Sequence, residues 1–121
     1  MRLLLCFLLT LAAAPAWAEW VKVSDTDVAI VYIDPSTIRK DGNLRRVWGI
    51  TDLKRRDMNG EMSRRVLYEY DCKEERFRIL SMTGHAGPMA NGKVVSEVNN
   101  ASGKWNDDAS GTVGYTKACA K

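Results

Sequence analysis

Cys72 and Cys119 constrain this chain more than any other pair of residues. The sequence holds three cysteines, and Cys6 falls in a stretch that reads as an export leader. Arg2 supplies a positive start, Leu3 to Ala14 is an apolar run broken only by Thr10, and Ala16-Trp17-Ala18 is the small-x-small pattern at which such leaders are cut. Residues 1–18 are therefore expected to be a cleaved secretory signal peptide, with cleavage near Ala18, and residues 19–121 a single domain. The run is too short for a transmembrane helix, and no later stretch is apolar for long enough, so no membrane span is expected. The remaining cysteines lie 47 positions apart. In an exported protein two cysteines pair, and their spacing fits neither a CxxC redox motif nor a short zinc knuckle. Closing a loop of that length stabilises a domain by about 4 kcal/mol, against a typical total of about 5–15 kcal/mol. Any fold for this chain must bring position 72 against position 119.

The segments between turn signals read as strands. Trp20–Val23 is short and β-prone, and Val28–Ile33 is a continuous β-branched and aromatic run, expected to be buried on both faces. Asp34-Pro35-Ser36-Thr37 ends it, because proline donates nothing to a ladder. Asp41-Gly42-Asn43 marks another turn. Leu44–Arg56 and Met62–Cys72 flank Asn59-Gly60, a strong hairpin signal. In the second of these, Arg64, Val66, Tyr68, Tyr70 and Cys72 fall on one face by alternation, and Ser63, Arg65, Leu67, Glu69 and Asp71 on the other. The aromatic side is expected to face the core. Arg76–Met82 follows, with Phe77, Ile79 and Ser81 alternating against Arg78, Leu80 and Met82. A glycine-rich loop, Gly84–Gly92, contains His85, and Val94–Val98 is the last strand. From Ser110 the spacing of Val113, Lys117, Ala118 and of Tyr115, Cys119 predicts a short helix, although Gly111 and Gly114 weaken it. The fold class expected is α+β: an antiparallel sheet of five or six strands, with a C-terminal helix packed on one face and tied by Cys72–Cys119.

Chemistry-bearing residues are few. His85 is the one histidine, and neither Ser81 nor Ser96 sits in a nucleophile elbow. Glu74-Glu75 and Asp107-Asp108 lie in polar stretches where carboxylates stay solvated, and Asn106-Asp107-Asp108 lacks an EF-hand pattern. No phosphate loop or zinc-protease motif occurs. The expectation is a non-enzyme without cofactor or metal. Losing Arg2 with the leader takes the net charge from +3 to +2, too little for bulk nucleic-acid binding. One charge feature stands out. A hairpin about Asn59-Gly60 would gather Lys54, Arg55, Arg56, Arg64 and Arg65 into a basic binding patch, unless Asp52, Asp57, Glu61 and Glu69 neutralise it. Trp20, Trp48 and Trp105 read as core or core rim before they read as partner anchors.

The ordered set Trp20, Val31-Tyr32-Ile33-Asp34 with Thr37-Ile38, Arg46-Val47-Trp48, Thr51-Asp52, Tyr70-Asp71-Cys72 with Arg76, then Trp105 and Cys119, resembles the surface-adhesin protein E family of Gram-negative bacteria. The resemblance spans nearly all of residues 19–121. It implies an antiparallel sheet whose C-terminal helix is held by a disulfide, here Cys72–Cys119. It also implies adhesion: the name-giving member is a dimeric outer-membrane lipoprotein that binds host matrix and plasma proteins such as vitronectin and laminin. This chain has Glu19, not cysteine, after the cleavage point, so it is expected to be unlipidated. The functional expectation is an exported binding protein, periplasmic or on the cell surface. Its partner would be a host matrix protein or another bacterial envelope protein, the latter making it a periplasmic accessory or inhibitor protein. An open sheet edge leaves a strand-paired homodimer available.

Overall fold

A computed structural model describes residues 19–99, 103–107 and 113–120. The leader lies outside the described residues. The alternating segments form one antiparallel sheet: β1 (Val21–Asp25), β2 (Ala29–Ile33), β3 (Arg39–Asp41), β4 (Leu44–Leu53), β5 (Ser63–Asp71), β6 (Arg76–His85), β7 (Val94–Asn99) and β8 (Asn106–Asp107). The main order is β1-β2-β4-β5-β6-β7, with β3 added beside β4 and β8 beside β6. A short helix, α1 (Val113–Ala118), packs on one face. Among the described residues no helix is long and apolar enough to cross a membrane.

Eight strands replace the expected five or six, and the two additions have identifiable causes. Proline at position 35 does interrupt β2, through a 3-10 turn over Pro35–Thr37 in which Asp34 accepts the Ser36 N–H at 3.0 Å. The chain then resumes along the same neighbour. β2 pairs with β4 at Gly49–Leu53, and β3 pairs with it at Leu44–Arg46. The turn is stitched to β4 by Asp34 N–H donating to the Trp48 carbonyl and Trp48 N–H donating to Thr37 Oγ1, at 2.9 and 3.0 Å. The second addition, β8, is a two-residue pairing to Arg76 and Phe77, too short to show as a pattern in sequence.

Three further expectations need correction. Val28–Ile33 is not buried on both faces: Val28 is exposed and only Ala29 and Ile33 are buried. The reason is that the core beneath α1 covers one face of β2, the face that Ala29, Val31 and Ile33 share. Second, β4 stops at Leu53 and the Asn59-Gly60 signal closes a longer loop instead of a two-residue turn, with Gly60 N–H donating to the Asp57 carbonyl at 3.1 Å. Third, β6 runs on through Gly84 to His85, so the histidine is a buried strand residue and not an exposed loop one. Gly84 permits this because Glu61 and Ser96 occupy the space a Cβ would need.

Parity in β5 holds as read. Tyr68 and Tyr70 lie on the helix side, where Val23, Ile33, Val47, Tyr70 and Ala118 form the core and Phe77, Tyr115 and Cys119 pack around it. In β6 the parity breaks. Leu67 pairs with Ser81 but Tyr68 with Ile79, so Leu80 is an extra residue at a bulge. Paired residues share a face, so Ser81 joins Arg78 and Met82 joins Phe77, the reverse of simple alternation. The disulfide is formed, with its Cα atoms 5.7 Å apart. Gly114, a weak helix former, is where α1 crosses the Tyr70 ring: a Cβ there would collide with the Tyr70 hydroxyl. Close approach, not propensity, explains that residue.

Candidate binding surface

The helix uses one face of the sheet. The other carries a different population, set by the same register. Arg46, Glu69 and Arg78 form one row across β4, β5 and β6. Trp48, Leu67 and Ser81 form the next, and Arg65 follows opposite Ile50. At the far end of this face the loop after β6 folds back: Met89 N–H donates to Asp52 Oδ1 at 2.9 Å, and Ala90 N–H to Ser63 Oγ at 2.8 Å. Ile50 and Ser63 are buried there. The middle and the near end stay accessible.

Glu69 organises the near end. It is 1% exposed and lies between two guanidiniums. Arg46 Nε donates to Oε2 at 2.7 Å, and Arg78 Nε donates to Oε1 at 2.9 Å. Burial pushes the Glu69 carboxyl up, but the hydrogen bonds and charges of Arg46 and Arg78 outweigh it and hold the group below its ordinary range. Arg78, together with Arg65 and Arg76 on the same face, is also set against an indole ring. Arg65 Cζ sits 3.9 Å from the Trp48 ring centroid. Arg76 and Arg78 bring their Cζ atoms to 4.5 and 4.3 Å from the Trp105 centroid. β8 delivers Trp105 there by pairing the next residues, Asn106 and Asp107, with Phe77 and Arg76. The result is two guanidinium–indole stacks on one open face, with a buried carboxylate holding Arg78 of the second. Arg76 and Arg78 already donate to Asp71 and Glu69, whereas Arg65 is held by the indole and keeps its edge toward solvent.

The five residues of the expected basic patch do not come together as one cationic surface. Lys54 Nζ donates to Asp25 at 2.8 Å. Arg56 donates to the Gly60 and Ala86 carbonyls. Arg64 is held by Glu61 and Asp57 at 2.6 and 2.8 Å, and being next to Arg65 on a strand it points to the opposite face. Arg55 is exposed. Arg65 alone of the five joins the open face. Of the acids expected to neutralise the patch, Asp57 and Glu61 take Arg64, Glu69 takes Arg46 and Arg78, and Asp52 takes a backbone N–H. Glu74, Glu75 and Asp107 are exposed, and Asp108 lies outside the described residues. No group of histidine, cysteine or acidic side chains among the described residues is arranged to hold a metal ion.

Sequence reading underrated Arg46, Arg76, Arg78 and Trp105. The parity of Arg46 with Trp48, and of Arg76 with Arg78, was visible. The approach of Trp105 to β6 was not, because nothing local records it. A comparison with individually curated proteins returns no match. A family model does match, over residues 20–120, and its description is surface-adhesin protein E. With that match covering residues 20–120, and with the sheet, C-terminal helix and disulfide in place, the chain belongs to the surface-adhesin protein E family.

Proposed function

We propose that this is a non-catalytic, exported binding protein that docks a protein partner on the open sheet face. Membership of an adhesin family supports a surface or secreted binding role. The observation that carries the choice of face is the pair of stacks, Trp48 with Arg65 and Trp105 with Arg76 and Arg78. Tryptophan and arginine dominate binding energy at interfaces. Here they are already ordered, so little side-chain freedom is lost on docking. The exposed Arg65 guanidinium suits a partner rich in carboxylates or carbonyls. A host matrix or plasma protein is the partner favoured, reached from the cell surface after removal of residues 1–18.

The test is surface plasmon resonance of the secreted mature protein against immobilised vitronectin, laminin and other matrix glycoproteins. Trp48→Ala and Arg65→Ala are expected to weaken binding about tenfold or more, and Arg55→Ala to leave it unchanged. Binding that survives both face variants would place the site elsewhere. Failure to bind any matrix protein, with crosslinking in intact cells to an envelope protein, would favour the periplasmic accessory role.

A further inference from the structure

At the opposite side of the sheet, where α1 meets the β3–β4 hairpin, an open groove of about 760 Å³ runs beside the disulfide. Lys40, Asn43 and Arg45 form its hairpin wall, Lys73 projects from the turn after β5, and the Tyr115 ring and the Cys72–Cys119 bridge form the floor side. Among the described residues the lining holds three cations, Lys40, Arg45 and Lys73, and no carboxylate. The ion pairs of the described residues use Lys22, Arg46, Lys54, Arg64, Arg76 and Arg78, and none of these three.

The concentration of charge is costly as it stands. Lys40 and Arg45 are directly opposed in the β3–β4 ladder, and like charges so placed repel. The neighbouring pair, Arg39 opposite Arg46, has the same problem but is relieved by Glu69 on the other face. Among the described residues no ion pair serves Lys40 or Arg45. A buried carboxylate on the adjoining strand, Asp71, opposite Leu44 in the β4–β5 ladder, is already engaged by the Lys73 and Glu74 N–H groups and by Arg76. The Arg45 guanidinium is anchored, since NH1 donates to the Gly42 and Leu44 carbonyls at 2.7 and 2.9 Å. Its Nε is buried without a hydrogen-bond partner. A charged donor left unsatisfied is rare in folded proteins and calls for an acceptor.

We infer that this groove binds an acidic sugar unit, with its carboxylate or sulfate set among Lys40, Arg45 and Lys73. An oxyanion there supplies the missing counter-charge. The groove's size falls in the range of ligand sites. Its openness suits one residue of a longer polysaccharide. The Tyr115 ring offers a flat surface for a sugar ring, and Asn43 offers a partner for hydroxyls. The site is separate from the open face, so either can fail without the other.

The experiment is an NMR titration of the ¹⁵N-labelled mature protein with a sulfated uronate disaccharide, inorganic sulfate and a neutral disaccharide. Saturable shifts are expected at the amides of Asn43, Lys73 and Tyr115. Lys40→Ala and Lys73→Ala change exposed side chains and are expected to weaken affinity about fivefold each, as loss of one exposed charge contact does. Arg55→Ala, an equal loss of charge elsewhere, should leave affinity unchanged. Equal weakening in Arg55→Ala would mean diffuse attraction and overturn the site. So would an absence of saturation, or shifts confined to the Trp48 face. Inorganic sulfate binding as tightly as the disaccharide would overturn the assignment to a sugar. Equal binding of the neutral disaccharide would overturn the role of the cations.

Discussion

Replacing both bridging cysteines by alanine isolates the contribution of the cross-link. The bridge closes a separation of 47 residues. In the chain-entropy treatment a loop of this size removes roughly 14 cal/mol/K from the unfolded ensemble, or about 4 kcal/mol at 25 °C. A domain spanning residues 19–121 has an unfolding entropy of about 0.2 kcal/mol/K near its midpoint. Those two figures together predict a fall in Tm of roughly 18 °C. The native contacts beside the bridge should persist, because the Tyr115 hydroxyl donates to the Cys72 backbone carbonyl at 3.0 Å, which alanine retains. Circular dichroism melts and urea titrations would read the loss. Cys72→Ala, Cys119→Ala and the double variant should be equally destabilised, since each breaks the same link. A fall of less than about 5 °C, or a double variant twice as damaged as the singles, would refute the reasoning.

Gly114→Ala should destabilise by about 1–3 kcal/mol in urea unfolding, because overpacking against the Tyr70 hydroxyl exceeds the gain in helix propensity; a stabilised variant would show that α1 shifts freely. Glu69→Gln should cost about 1.5–3 kcal/mol by weakening two charge-assisted hydrogen bonds. It should also alter the acid limb. The folded carboxyl lies below its unfolded value, so its stabilisation is present above the ordinary carboxylate range and lost as pH falls through the folded value. The variant should therefore show a shallower loss of stability on acidification, and an unchanged profile would remove Glu69 from the account. Tyr70 behaves in the opposite sense. Burial, with the neighbouring Tyr68, pushes its hydroxyl up, so its stabilisation is present below the ordinary phenol range and lost as pH rises toward the folded value. Tyr70→Phe should extend stability into alkali, read by melts between pH 9 and about 11.

Much of this architecture was legible in the chain. Alternation in β5 placed Tyr68, Tyr70 and Cys72 toward the core, and the cysteine count placed α1 against them. These inferences work because strand parity and covalent pairing are carried by short-range pattern or by composition. What failed did so where a local signal had a non-local resolution. Pro35 stops a strand, but only the neighbouring β4 determines that the strand resumes as β3. Gly84 looks like a loop residue until Glu61 and Ser96 fill the space beside it. Leu80 inverts the parity of β6 through a bulge that no single-strand pattern shows. The basic patch failed for the same kind of reason: adjacent strand residues such as Arg64 and Arg65 diverge, while Trp105 reaches Arg76 across 29 positions of chain.

The sequence alone determined the strand-rich class, the core side of β5 and the Cys72–Cys119 link. Each follows from residue type and spacing, which act within a few residues or through a bond of defined chemistry. Tertiary structure decided which cations are neutralised and which stay available. Arg64 and Arg46 find carboxylates, while Lys40, Arg45 and Lys73 gather without one among the described residues. Side-chain pairing across a sheet depends on register and on which loop folds over which face. Those are settled only when the whole core packs at once.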